Sequence, residues 1–131
     1  MVTNLALDLL KTARPRQWVK NLTLFAALIF IGNILPTPTL IRDFWIVAEA
    51  IVSFTLIASS IYFLNDLIDI EADKAHPFKK LRPLAAGRVS KILALGVFVF
   101  LGIVGLIWAY KLSVYFFAAA LGYWLMQILY S

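Results

Sequence analysis

Apolar residues fall into four runs, at roughly 22–35, 44–64, 92–110 and 112–130, and polar residues collect between them. The last three runs are each about 20 residues long, the length that crosses a hydrocarbon core as a helix. The first is shorter unless Trp18 and Val19 are counted with it. Hydrophobicity within the runs does not alternate, as LALGVFVFLGIVGLIW (93–108) shows. A membrane β-strand would need alternation, whereas a helix satisfies its own backbone hydrogen bonds in lipid. The expected fold is therefore an all-α integral membrane protein with four transmembrane helices.

The remaining segments read as connections. Residues 1–20 suit a surface helix that ends near Arg14-Pro15, because proline disfavours helix in the residue before it. LPTPTL (35–40) reads as a short outer turn. HPFKKLRPLAAG (76–87), with two prolines and a glycine, reads as an extended part of a cytoplasmic loop spanning 65–91. The chain stops at Leu129-Tyr130-Ser131 directly after an apolar run, as a fragment would.

Composition agrees with a membrane protein. Only 15% of the 131 residues are charged and the mean hydropathy is +0.89, too apolar for the surface of a soluble domain. Cysteine is absent and His76 is the one histidine, which excludes disulfides, thiol nucleophiles and His-rich metal sites. Lys11, Arg14, Arg16 and Lys20 precede the first run, and Lys74, Lys79, Lys80, Arg82, Arg88 and Lys91 lie between the second and third. By the positive-inside rule both basic segments, and with four spans both termini, face the cytoplasm. The net charge of +5 then reflects topology and contact with anionic membrane lipids, and does not point to nucleic acid.

The chemistry concentrates in NDLIDIEADKAHPFKKLRP (65–83), where four carboxylates in nine residues are followed by His, Lys and Arg. If the second span continues helically past Asn65, a rotation of about 100° per residue gathers Asp66, Asp69 and Asp73 on one face. Glu71 points away. Three carboxylates at a helix C-terminus repel one another and oppose the helix dipole, so the stripe calls for a cation. Oxygen-only ligands suit a hard ion such as Mg²⁺, which shares its shell with substrate phosphates. Lys79, Lys80 and Arg82 follow where they could grip phosphate oxygens. A solvated loop whose acids pair with its own lysines would show the same composition.

Asn65-Asp66-Leu67-Ile68-Asp69 with Asp73 resembles the first aspartate-rich motif, NDxxDxxxD, of the UbiA-type intramembrane prenyltransferase superfamily. His76-Pro77 through Lys79, Arg82-Pro83 and Gly87 resembles its HPxKxxRPxAxG continuation, most typical of the decaprenyl-phosphate phosphoribosyltransferase branch. Arg14-Pro15 with Trp18, Lys20 and Asn21 matches the RPxxWxKN approach to the first helix. The resemblance implies the first half of a bundle of about nine helices and a second acidic motif in the missing C-terminal half. It implies a Mg²⁺-dependent transferase acting on a polyprenyl phosphate or diphosphate lipid. The phosphoribosyl branch would move 5-phosphoribosyl from phosphoribosyl diphosphate to a polyprenyl (decaprenyl) phosphate; the alternative branch would prenylate an aromatic acceptor of the 4-hydroxybenzoate type. Asp66, Asp69 and Asp73 would hold the metal, Asn65 would orient the diphosphate, and Lys79 and Arg82 would bind phosphate. Lys20 and Asn21 would line the cavity mouth.

The same sequence admits a non-enzymatic reading, a four-helix membrane protein whose loop binds headgroups or a partner. Trp18 reads as an interface anchor, His76 as turn chemistry before Pro77 with a general base as the alternative, and Glu49 as an interfacial acid on a different face from the stripe. Gly96, Gly102, Gly105 and Gly122 would permit close helix approach.

Overall fold

The computed structural model describes residues 4–23, 26 and 40–131, with the side chains of 40 and 41 excepted. The first apolar run and the LPTPTL turn lie almost wholly outside these residues. Six α-helices and no strand are present among the described residues: α1 (Leu5–Ala13), α2 (Pro15–Trp18), α3 (Leu40–Ile68), α4 (Ile70–Ala75), α5 (Lys91–Leu112) and α6 (Val114–Tyr130). α3 and α5 are long and apolar enough to cross a membrane. They contain the runs 44–64 and 92–110, while the run 112–130 corresponds to α6, which has 17 residues.

Helix ends follow local chemistry. Asn4 caps α1, its Oδ1 accepting from the Ala6 N–H at 3.0 Å, and Pro15 forbids continuation, so α1 ends at Ala13. Ser90 Oγ accepts from the Leu93 N–H at 3.1 Å and opens α5. One residue, Ser113, turns α5 into α6. Its N–H donates to the Ala109 carbonyl at 3.0 Å, and its Oγ accepts from the N–H groups of Tyr115 and Phe116 at 3.2 and 3.4 Å. So short a connection leaves the helix-end backbone groups to Ser113 itself.

The largest packing surface joins α3 to α5, and α6 packs on both. α5 turns Ala94, Phe98, Gly102, Gly105 and Ala109 inward and leaves Ile92, Leu95, Val99, Ile103 and Ile107 exposed. Four of these inward residues are Gly or Ala, and at Gly105 the backbones meet. A Cβ on Gly105 would sit 2.6 Å from Ile57 Cγ1 and 3.0 Å from the Ser53 carbonyl oxygen, and Ser53 Oγ donates to the Gly105 carbonyl at 2.8 Å. Gly102 lies under Trp124, whose Nε1 donates to Ser60 Oγ at 2.9 Å. Gly96 and Gly122 differ from expectation: nothing described comes within 4 Å of a Cβ there, so they mediate no close approach.

The loop after the acidic motif is not extended. It winds through a 3₁₀ turn (Lys79–Leu81), and its apolar residues Leu84, Ala85 and Val89 are buried. Leu84 and Val89 join Ile61, Phe63, Ile70, Ala94 and Phe98 in one core cluster. Burial of those side chains folds the segment back beneath the motif.

Gly105→Val should lower the stability of the protein in detergent by about 1–3 kcal/mol through overpacking. Gly96→Ala should leave the thermal midpoint unchanged, and equal effects at both positions would contradict the packing described.

Candidate functional site

α3 delivers Asn65 and Asp66 at its last turn, and a break at Asp69 (φ −88°, ψ 9°) separates it from α4. Backbone bonding continues across the break: the Asp69 N–H donates to the Asn65 carbonyl at 2.9 Å and the Asp73 N–H to the Asp69 carbonyl at 2.8 Å. Asp66 and Asp73 thus stay on one face, two turns apart. Both are buried, at 2% and 3% exposure, and Asp69 is exposed. The expected three-acid stripe is therefore a pair of buried carboxylates with the third acid outside.

The buried pair is neutralised by guanidinium groups from both sides. Arg82 Nη1 donates to Asp73 Oδ2 at 3.1 Å and to Asp66 Oδ1 at 3.4 Å. Arg14 Nη2 donates to the same Asp66 oxygen at 2.6 Å. The Arg14 guanidinium also lies 4.9 Å from the centroid of the Tyr62 ring, a cation–π distance. Arg14 has φ 56° and ψ 68°, making it the one non-glycine residue of positive φ among the described residues. That conformation costs an L-residue about 1–2 kcal/mol.

The other expected site residues are spread around this centre. Lys79 and Lys80 are exposed on the 3₁₀ turn and make no ion pair with any described residue. His76 Nδ1 accepts from the N–H groups of Phe78 and Lys79, both at 3.1 Å, which makes it the organiser of that turn. Asn65 Oδ1 accepts from Ser131 Oγ at 2.7 Å. Glu71 is exposed and pairs with Lys74 at 3.5 Å. Lys20 is exposed, while Asn21 Nδ2 donates to Thr55 Oγ1 at 2.8 Å. Thr55 lies about 16 Å along α3 from Asp66 at 1.5 Å per residue, so Asn21 is set well below the acids. Glu49 is exposed and accepts from Trp108 Nε1 at 3.3 Å.

Below the acids lies an apolar cavity of about 600 Å³, lined among others by Ala13, Pro15, Trp18, Thr55, Ser59 and Leu101. Trp18, read from sequence as an interface anchor, lines it and donates from Nε1 to the Ala13 carbonyl at 3.0 Å and to Ser59 Oγ at 3.1 Å. Sequence reasoning also missed Asp8. It is buried on α1, and its Oδ1 accepts from Arg88 Nε at 3.1 Å. Arg88 in turn donates to the Leu81 carbonyl at 3.0 Å, so α1 braces the loop that carries Lys79 and Arg82. An acid facing inward from an otherwise leucine-rich helix was the available signal.

A sequence model of the UbiA prenyltransferase family matches residues 21–131. The chain belongs to this family. Its curated relatives include the decaprenyl-phosphate phosphoribosyltransferase of Mycobacterium tuberculosis, 40% identical over 128 residues, 97% of this chain and 42% of that protein. The proteins of the same name from Mycolicibacterium smegmatis and Corynebacterium glutamicum are 42% and 44% identical over 115 and 96 residues. Those stretches are 84% and 72% of this chain, and 35% and 28% of the two proteins. The chain thus spans about two-fifths or less of the length of these relatives. UbiA enzymes generally depend on a divalent metal. The carboxylate donors suit a hard cation, yet among the described residues no three acid or imidazole groups gather as a metal site. In this arrangement Asp66 Oδ1 and Asp73 Oδ2 face arginine and Asp69 is exposed, so the placement does not fit the ion.

Arg82→Gln should destabilise the protein by about 1–3 kcal/mol, because it strands two buried carboxylates while part of the arginine is solvent-screened. Adding Asp73→Asn to that variant should cost less than Asp73→Asn alone would predict by addition, by at least about 0.5 kcal/mol in chemical unfolding. Strict additivity would mean that Arg82 and Asp73 are not coupled.

Proposed function

We propose that this chain serves a membrane transferase that moves 5-phosphoribosyl from phosphoribosyl diphosphate to a polyprenyl (decaprenyl) phosphate. The observation that carries the choice is the 40% identity with a decaprenyl-phosphate phosphoribosyltransferase across 97% of the chain. The geometry is compatible with that chemistry. A polar crown of acids and arginines sits beside an apolar cavity, as an anionic headgroup on an isoprenoid tail requires.

In the reaction, the bond from the anomeric carbon to the diphosphate oxygen breaks, and a phosphate oxygen of the lipid forms the new bond to that carbon. Diphosphate leaves with the electron pair, and positive charge develops on the ribose. Lys79, Lys80 and Arg82 are the cations on the motif loop that would bind phosphate oxygens and stabilise the leaving group. Asn65 would orient the diphosphate, and Lys20 and Asn21 would border the cavity. The resemblance assigns Asp66, Asp69 and Asp73 to Mg²⁺, whereas in the placement described above Asp66 and Asp73 pair with arginine. No Asp or Glu follows Asp73, so a second acidic motif of the kind the resemblance implies would have to be contributed by further sequence. We place the motif loop and both termini on the cytoplasmic side of a bacterial cytoplasmic membrane, from the distribution of Lys and Arg.

Membranes containing this chain together with the further sequence that supplies the second acidic motif, given phosphoribosyl diphosphate, decaprenyl phosphate and Mg²⁺, should form decaprenyl phosphoribosyl phosphate, and chelation tests the Mg²⁺ assignment by stopping the reaction. Asp66→Asn should lower the rate by about 10²–10³-fold, the range for loss of one electrostatic stabiliser. Product formed from 4-hydroxybenzoate and a polyprenyl diphosphate, with none from phosphoribosyl diphosphate, would replace this reading with aromatic prenylation.

A further inference from the structure

We propose that the turn 78–81 docks on an anionic bilayer surface. Phe78 and Leu81 enter the headgroup layer, and Lys79 and Lys80 meet the lipid phosphates. The turn needs only the membrane setting of the family, whatever reaction the neighbouring acids serve. The phosphate contacts given to these lysines above draw on the same chemistry; here the bilayer supplies the phosphate.

Side-chain exposure is the first support. Phe78 is 77% and Leu81 66% exposed, although both lie on the loop between helices. On a spanning helix such side chains would meet lipid, whereas on a loop in water nothing rewards their display. Lys79 and Lys80 stand exposed between them and make no ion pair with any described residue. Aromatic and aliphatic side chains beside lysine are the chemistry of segments that lie in a membrane interface. The uncompensated double charge favours an anionic surface over a neutral one.

The backbone supplies an independent support. Every N–H from 78 to 82 donates within the protein. Those of Phe78 and Lys79 donate to His76 Nδ1, both at 3.1 Å. Those of Lys80, Leu81 and Arg82 donate to the carbonyls of His76, Phe78 and Lys79 at 3.3, 3.2 and 3.0 Å. The Leu81 carbonyl accepts from Arg88 Nη2 at 3.0 Å. A segment that leaves bulk water must bring partners for its polar groups, and this one does. Its base is fixed as well, by burial of Leu84, Ala85 and Val89 and by the Arg88–Asp8 pair. A tip presented this way loses little freedom on docking.

The chain has no cysteine, so one introduced thiol labels a single position. Leu81→Cys carrying an environment-sensitive fluorophore, on the full chain in nanodiscs of phosphatidylcholine and phosphatidylglycerol, should be quenched by lipids nitroxide-labelled at the headgroup. A label at Glu71→Cys, exposed on α4, should not be. Phosphatidylcholine alone should lower the quenching at 81. So should Lys79→Gln with Lys80→Gln, each lysine being a factor of about five in the partition of the tip. Phe78→Ser should weaken the quenching and Phe78→Leu should keep it. All the substituted side chains are exposed, and an unchanged thermal midpoint separates loss of docking from loss of fold. Water-like emission at 81, or equal quenching at 71 and 81, overturns the proposal. Apolar emission without lipid quenching overturns it in favour of a covering protein surface, either further sequence or a second copy. Release by added inorganic diphosphate overturns it in favour of a free phosphate on the lysines.

Discussion

Two carboxylates buried at and just beyond the C-terminal end of α3 must be compensated, and most of the local structure follows from how that is done. Desolvating Asp66 and Asp73 without partners would cost several kcal/mol each. The chain answers with Arg82 from the following loop and Arg14 from the N-terminal segment. Those three ion pairs require that the loop fold back beneath the motif and that Arg14, left-handed between α1 and α2, face Asp66. The loop has its own apolar anchor in Leu84 and Val89, so charge pairing and burial pull the same way.

Packing deeper in the molecule holds α3 steady enough for such pairing. Between helices in lipid, close van der Waals contact and hydrogen bonds replace the hydrophobic drive. Ser53 on the Gly105 carbonyl and Trp124 on Ser60 are contacts of that kind, each made possible by a glycine on α5. The stacked pair Phe98 and Trp124, with ring centroids 5.5 Å apart, continues the same seam toward the motif. Three helices are thereby locked in register below the charged end.

Helical continuation past Asn65, the shared face of Asp66 and Asp73 and the end of α1 before Pro15 were legible in the sequence, because periodicity and proline chemistry act over a few residues. So was His76 as turn chemistry. Asp69 was expected on one face with Asp66 and Asp73, and it stands exposed at the break between α3 and α4 while the other two are buried; periodicity does not tell how deep each member of a stripe is buried. Arg14 could not be assigned to the acids, since its partner lies 52 positions away, and Asp8 could not be matched to Arg88 across 80. The loop was read as extended on its prolines and glycine, and the apolar residues between them decided otherwise. Trp18 carried an ambiguous signal, because an amphipathic ring suits both a membrane surface and a cavity wall.

The bracing of the loop by α1 bears on how this family's core should be delimited. The family match begins at residue 21, after Asp8 and Arg14, so a recombinant boundary drawn there would keep the aspartate-rich motif and its loop yet leave Arg88 without its acid and Asp66 with Arg82 alone. An amino-terminal segment grafted from elsewhere would have to bring an acid for Arg88 and a cation for Asp66. In this chain, leader and loop are therefore best exchanged together.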